Sequence, residues 1–236
     1  RKGAKTVDAV DAHILKKLNL GLIETANLME GLAMDLSLLA KNVGIKCGPC
    51  PEKSIVKKMK YYGSKISDFK DFKNHPSDTV RGFAVYALAN SDLTLKAKLK
   101  EVLHFADDHH FGVREWAWLA LREEISQNLS TSLAFFEKHS THQSANIRRF
   151  CSEATRPRGV WCTHIQELKE KPELCLTILE NLKTDTEKYV KDSVGNWLND
   201  AAKSKPQFVK KLCGEWKKLK NSDTEYIIKK ALRSLS

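Results

Sequence analysis

Five times along this chain a Val or Ile opens the same short pattern. Val80, Val113, Ile147 and Val190 are each followed by a basic residue, and Ile227 marks a fifth copy. Positions +3, +4 and +7 from each mark are mostly apolar, as in Phe83, Ala84 and Ala87, Trp116, Ala117 and Ala120, or Phe150, Cys151 and Ala154. That spacing puts them on one buried face of a helix. The marks are 33, 34, 43 and 37 residues apart. A second amphipathic stretch lies between successive marks, over residues 93–104, 129–139, 173–182 and 206–219. No segment shows the alternation of a half-buried strand.

A helix pair recurring at such intervals predicts an all-α chain, an α-solenoid of HEAT-like pairs built as one repeat domain over residues 1–236. Ahead of the first mark the spacing predicts helices over 7–18 and 25–41, a Gly- and Pro-held loop over 44–51, and one or two helices over 52–72. The 43-residue interval carries an insertion, a turn reading TRPRGVW and a short helix over 163–171. Insertions in one repeat often map to a functional face. A further stripe, at +2, +6 and +10, holds Glu115, Arg149, Glu153, Asp192, Asn196 and Asp200. It is a candidate for a shared polar wall on the concave side of a solenoid, although a solvated outer face would show the same period.

Lys and Arg outnumber Asp and Glu by 40 to 29, for a formal charge of +11. That balance favours a polyanionic partner and fits a basic concave groove. No apolar run is long enough to span a bilayer; residues 26–40 are interrupted by Glu30 and Asp35 and read as amphipathic. No signal peptide is visible, and the chain opens at Arg1 without a Met. Cys151, Cys175 and Cys213 sit at apolar helix positions and read as buried free thiols of a reducing cytoplasm. Cys47 and Cys50 form a lone CxxC without the strand–helix context of a redox site or a second pair for zinc. Asp107, Asp108, His109 and His110 read better as a helix cap than as a metal cluster, because neighbours in sequence cannot all face one ion. No metal and no cofactor is expected. No phosphate-loop, dinucleotide or zinc-protease motif occurs.

Residues 144–161 read SANIRRFCSEATRPRGVW. Ser144 is a good N-cap, and Pro157 disfavours helix at Arg156, so a short turn carrying Arg156, Arg158 and Trp161 must follow. Arginines on an irregular loop beside an aromatic suit a phosphate next to a base. The plainer reading is a helix stopped by Pro, with Trp161 packed as core.

This segment resembles the bacterial alkylpurine DNA glycosylases built from HEAT-like repeats, the AlkC/AlkD group, and within it the AlkC branch, whose pattern has the form VRR-x-x-SE-x-TRPR-x-x-W. A second match is YVKDSVGNWLNDAA over 189–202, and a shorter one is VREWAWLAL over 113–121. The resemblance implies a monofunctional DNA glycosylase of base-excision repair, which hydrolyses the N-glycosidic bond of small cationic methylated bases in duplex DNA. It implies Asp200 and Glu115 as the carboxylates that stabilise an oxocarbenium sugar and position water, and Trp161 as the aromatic facing the cationic base. Trp116, Trp118 and Trp197 are possible helpers, Trp116 being the likeliest of them to serve as packing. Arg148, Arg149, Arg156 and Arg158 would meet phosphates. A bacterial, cytoplasmic monomer, nucleoid-associated when bound to DNA, is expected. Two features depart from the branch. Gly159 and Val160 stand where Leu-Pro is expected before the Trp, and the C-terminal β-sandwich of some members is expected to be missing. The rivals are a catalytically silent HEAT-repeat DNA-binding module, which would not need Glu115 and Asp200, and a scaffold for a protein partner, which would not need the charge.

Overall fold

The computed structural model describes residues 1–235, and among them there is no strand. The chain divides into two compact units, Arg1–Leu121 and Arg122–Ser236. The first holds α1 (Ala12–Asn19), α2 (Leu28–Ala33), α3 (Leu36–Asn42), α4 (Ile55–Gly63), α5 (Asp78–Asn90) and α6 (Leu95–Ala106). Helix α7 (Phe111–Gln127) begins in the first unit and ends in the second. The second continues with α8 (Leu129–His139), α9 (Ala145–Ala154), α10 (Gln166–Glu170), α11 (Leu176–Leu182), α12 (Lys188–Ala202), α13 (Pro206–Lys217) and α14 (Ser222–Leu232). Short 3-10 turns lie at Val7–Ala9, Phe69–Asp71 and Pro172–Cys175.

The helix pairs follow the sequence period. Each mark falls inside a helix (α5, α7, α9, α12 and α14), and Phe83, Ala84, Phe150, Cys151 and Ala154 are buried on the expected face. The expected helix over 25–41 is instead two, α2 and α3. Met34 is extended (φ −66°, ψ 141°), and the Asp35 carboxylate accepts the N–H groups of Ser37 and Leu38, restarting the helix. A strong internal cap outcompetes a continuous apolar period.

The basic residue after each mark has a definite task. Arg81, Arg114 and Arg148 each donate Nη1 to two carbonyls of the loop preceding their own helix: His75 and Pro76, Asp108 and His109, His142 and Gln143. Arg81 also grips Asp108 (2.7 and 3.0 Å), and Arg148 grips Asp185 (2.6 and 3.1 Å). Lys191 does the same with Asp223 at 2.5 Å. Asp108 and Asp185 sit in the loop before the next marked helix, and Asp223 in the first turn of α14. Asp108 and Asp185 also accept a backbone N–H two residues on, from His110 and Glu187. His75 and His142 hold the matching place with Nδ1 facing the N–H groups of Ser77 and Ser144. One ionic contact therefore fixes the loop and the spacing to the next repeat.

In the second unit α12 packs against both α9 and α14. The +2/+6/+10 stripe lies along these two seams. Asp192 accepts from Lys188, Tyr226 and Lys230, and Asn196 from Arg233, so α12 is stitched to α14 by its stripe. Arg149, Glu153 and Asp200 are buried in the seam between α9 and α12. Here the stripe faces protein charges of opposite sign. Arg148→Ala and Asp185→Ala should each lower stability by about 1–3 kcal/mol, and the double variant should cost clearly less than their sum. Urea unfolding measures this, and strictly additive losses would show that the pair does not set the repeat spacing.

Candidate functional site

The two motif segments meet residue for residue across α9 and α12. The Arg149 guanidinium stacks on the Tyr189 ring, 4.4 Å from its centroid. Ser193 donates to Glu153 Oε2 at 2.7 Å, and Ser152 donates to Ser193 at 2.8 Å. Trp197 Nε1 donates to the Thr155 carbonyl at 2.9 Å. One turn further, Arg156 bridges two carboxylates. Its Nη1 reaches Glu153 Oε1 at 2.7 Å, while Nε and Nη2 lie 2.9 and 2.8 Å from Asp200 Oδ2. Arg149 Nη2 adds a longer contact to Glu153 Oε2 at 3.5 Å. Asp200 Oδ1 faces the half-exposed Lys203 at 3.6 Å.

The charges in this cluster tune one another. Burial pushes the Glu153 carboxyl up, but Arg149 and Arg156 prevail and hold it below the ordinary carboxylate range. Burial likewise works against the Arg156 cation, and Glu153 and Asp200 more than restore it. Arg122, 2% exposed, donates to the backbone carbonyls of Ala154 (2.8 Å), Arg156 (2.5 Å) and Thr163 (3.3 Å). Burial depresses its cation.

Beyond α9 the chain turns as Pro157 demands. Ile165 N–H donates to the Pro157 carbonyl at 3.1 Å and closes the neck of the turn. Val160 and Trp161 project from it, Trp161 at 61% exposure and with φ +61°. A left-handed aromatic residue costs on the order of 1–3 kcal/mol and persists where the surroundings dictate it. Trp161 is thus neither core nor relaxed, against the plainer expectation. Trp118 and Trp197 are buried and Trp116 packs on Tyr86, so these three serve as packing.

The remaining expected residues divide clearly. Glu115 lies on α7 in the first unit and accepts from Trp118 Nε1 at 2.8 Å. Asp200, Trp161 and the four arginines belong to the second. Arg158 donates Nη2 to Ser204 at 2.8 Å, while its buried Nε has no acceptor among the described residues. Arg148, expected at a phosphate, is committed to Asp185 and its own loop. Arg156, expected there too, is clamped between carboxylates. Glu153, Ser152 and Ser193 were not singled out as site residues, though all three stand inside the two matched motifs. Arg122 carried no sequence signal. Glu24, Asp108 and His109 bring ligand atoms within 4.8 Å of one another. The Arg81 guanidinium already lies 2.5 Å from Glu24 and 2.7 Å from Asp108, so a side-chain cation balances that group.

Comparison with known proteins gives the following. The sequence pattern of a family described as DNA alkylation repair enzyme matches residues 77–235. The uncharacterized protein YhaZ of Bacillus subtilis strain 168 is 35% identical over 150 residues, 64% of this chain and 39% of its own. The structure of Pseudomonas fluorescens alkylpurine DNA glycosylase AlkC, bound to DNA containing an abasic site analog, superposes with a TM-score of 0.61 at 25% identity, covering 93% of this chain and 56% of that one. AlkD2 from Streptococcus mutans superposes with a TM-score of 0.57 at 22% identity, covering 78% and 83%. The chain therefore spans about half the length of the first two relatives. These likenesses establish the all-α, HEAT-like solenoid class. Among the described residues no helix is long and apolar enough to cross a membrane.

The Glu153 environment has a pH consequence. The unfolded chain takes up a proton at Glu153 near the ordinary value of 4.5, whereas the folded chain resists it to lower pH. Stability from this group is present above about pH 4.5 and is lost as pH falls through the lowered folded value. Glu153→Gln should flatten the acid limb relative to the wild type. Urea midpoints across that range measure it, and parallel curves for the two proteins would refute the assignment.

Proposed function

The chain belongs to the DNA alkylation repair enzyme family, and from that premise we propose that it is a monofunctional DNA glycosylase. It would release small cationic methylated bases from duplex DNA by hydrolysis of the N-glycosidic bond, as a bacterial, cytoplasmic monomer. The observation that carries this reading is the meeting of the two motif segments across α9 and α12. There a carboxylate is held by Arg156, which precedes the exposed, left-handed Trp161 in the same turn of chain.

The chemistry asks little of an acid. A methylated cationic base is already a good leaving group, and bond cleavage builds positive charge on the sugar. A fixed carboxylate stabilises that charge and can orient the attacking water. Asp200 suits this role: Arg156 holds its Oδ2 and fixes the plane, and Oδ1 faces the more open side at Lys203. The resemblance also implies a carboxylate role for Glu115, on α7 of the first unit. Trp161 offers its face to the cationic base, with attraction worth roughly 0.5–2 kcal/mol. Arg158, half-buried and bound to no carboxylate among the described residues, is the best placed of the expected arginines to meet a phosphate. Arg148, Arg149 and Arg156 contribute charge and shape from within the cluster.

Single-turnover release of methylated bases from alkylated duplex DNA tests the reading. Asp200→Asn should lose roughly a hundredfold to a thousandfold in rate, and Glu115→Gln a comparable factor. Circular dichroism must accompany the first variant, because Asp200 also anchors Arg156. Trp161→Ala should lose less rate and more preference for the cationic base. Unchanged release by folded Asp200→Asn would overturn the site. A wild type that binds DNA and releases no methylated base would instead be a silent DNA-binding module. Affinity should fall with salt by about 0.9 in log K per log salt for each phosphate contact, and Arg158→Ala should reduce that slope by about one contact. Salt-insensitive binding would remove the polyanion premise.

A further inference from the structure

We propose that Arg122 is a positioning residue, whose guanidinium shapes the turn that presents Trp161 and thereby sets the preference for a cationic base. The inference rests on the proposed glycosylase reading and deepens it. All three nitrogens of the buried side chain donate to backbone carbonyls, and these lie on both arms of the turn. Ala154 and Arg156 stand before the projecting residues and Thr163 stands after them. Ala154 is the last residue of α9, so the cation also sits at the negative end of that helix. On its other side the guanidinium meets Gly159. A Cβ there would lie 3.4 Å from Arg122 Nη2 and only 2.4 Å from Cys162 Sγ. The turn is therefore wrapped on Arg122 with no room for a side chain at 159. The only strongly exposed residues between the two arms are Val160 and Trp161.

The electrostatics fit the same role. Among the described residues no carboxylate pairs directly with Arg122. Burial works against its cation, which is met by the carbonyl dipoles and the Cys162 thiol, with Glu153 and Asp200 acting at longer range against Arg156. A planar fork spreads its donors over three nitrogens fixed in one plane, whereas an ammonium directs its three from a single atom. Loosening this grip leaves the arms tied at the Ile165–Pro157 neck and relaxes the part of the turn that holds the left-handed conformation at Trp161.

The test uses Arg122→Lys, and Gly159→Ala as a second variant that disturbs the turn from its other side. Each is made in the wild type and in Trp161→Ala. Preference is read as the ratio of release rates for a cationic methylated base and a neutral altered base. In the wild-type background each variant should reduce that ratio by about two- to thirtyfold, the range that loss of one cation–π contact allows. In Trp161→Ala neither should change it further. Equal losses in both backgrounds would show a merely structural residue and overturn the proposal. A second readout needs no activity: the tryptophan fluorescence of each variant minus that of the same variant carrying Trp161→Phe. Arg122→Lys and Gly159→Ala should both shift this Trp161 signal and its quenching by acrylamide. An unchanged Trp161 signal overturns the proposal even if the enzyme works. A shifted signal in a chain that releases no base upholds Arg122 and rejects the glycosylase reading instead.

Discussion

The ionic step from one repeat to the next sets everything that follows in the second unit. Arg148 holds two carbonyls of its own loop and the carboxylate of Asp185, which itself organises the loop before α12. With that distance fixed, α12 has one register against α9. Tyr189 then falls over Arg149, Ser193 beside Glu153, Trp197 under Thr155 and Asp200 against Arg156. A slip of one residue would rotate each partner by about 100°, the angle per residue of an α-helix, and would part Asp200 from Arg156 and Ser193 from Glu153, leaving buried polar groups short of partners. The repeat contact and the site are therefore one mechanical system, in which Arg148 is committed to protein partners.

Charge burial of this kind is a poor source of stability. Apolar residues of like volume would hold the seam as well or better, whereas removing one member of such a pair typically costs about 3–5 kcal/mol. What the network supplies is a fixed direction. Asp200 cannot rotate while Arg156 holds one of its oxygens through two nitrogens, and Arg156 is in turn held by Glu153, which Ser193 and Arg149 steady. A carboxylate that must meet a developing positive charge gains from being set in place beforehand, because no reorganisation is then needed during bond cleavage. The same rigidity means that, on the proposed reading, a substitution in the cluster acts on both folding and chemistry.

The helix pairs were legible in the sequence because a 3.6-residue period leaves its mark in apolar residues, and the loops over 44–51 and after Arg156 because Gly and Pro carry local rules. The division of α2 from α3 was hidden behind a continuous apolar pattern, and only the Asp35 carboxylate gives it away. The stripe at +2, +6 and +10 was visible as a stripe, but periodicity does not say whether a polar face meets water or the next helix. That depends on residues about 40 positions away, such as Ser193 for Glu153, and no spacing rule within one helix contains them. The resemblance pointed to Asp200, Trp161 and Arg149. It left out Glu153, which holds the guanidinium that holds Asp200. Arg122 was illegible because its partners are backbone carbonyls, which every residue has.

Trp161 is the element that packing alone leaves unexplained. A folding optimum would turn an indole of this size inward, where burial of an aromatic side chain is worth roughly 1.5–3 kcal/mol, and would avoid a positive φ that costs on the order of 1–3 more. Both losses are carried by one residue at the tip of a turn whose neck, arms and floor are all bonded: Ile165 to Pro157, Arg122 to three carbonyls, Gly159 against Cys162. Such a tip is over-determined by its surroundings, and a side chain held outward against its own preference is preorganised to meet something that is not part of the chain. Under the proposed glycosylase reading that partner is alkylated duplex DNA, which is anionic along its backbone and cationic at one base.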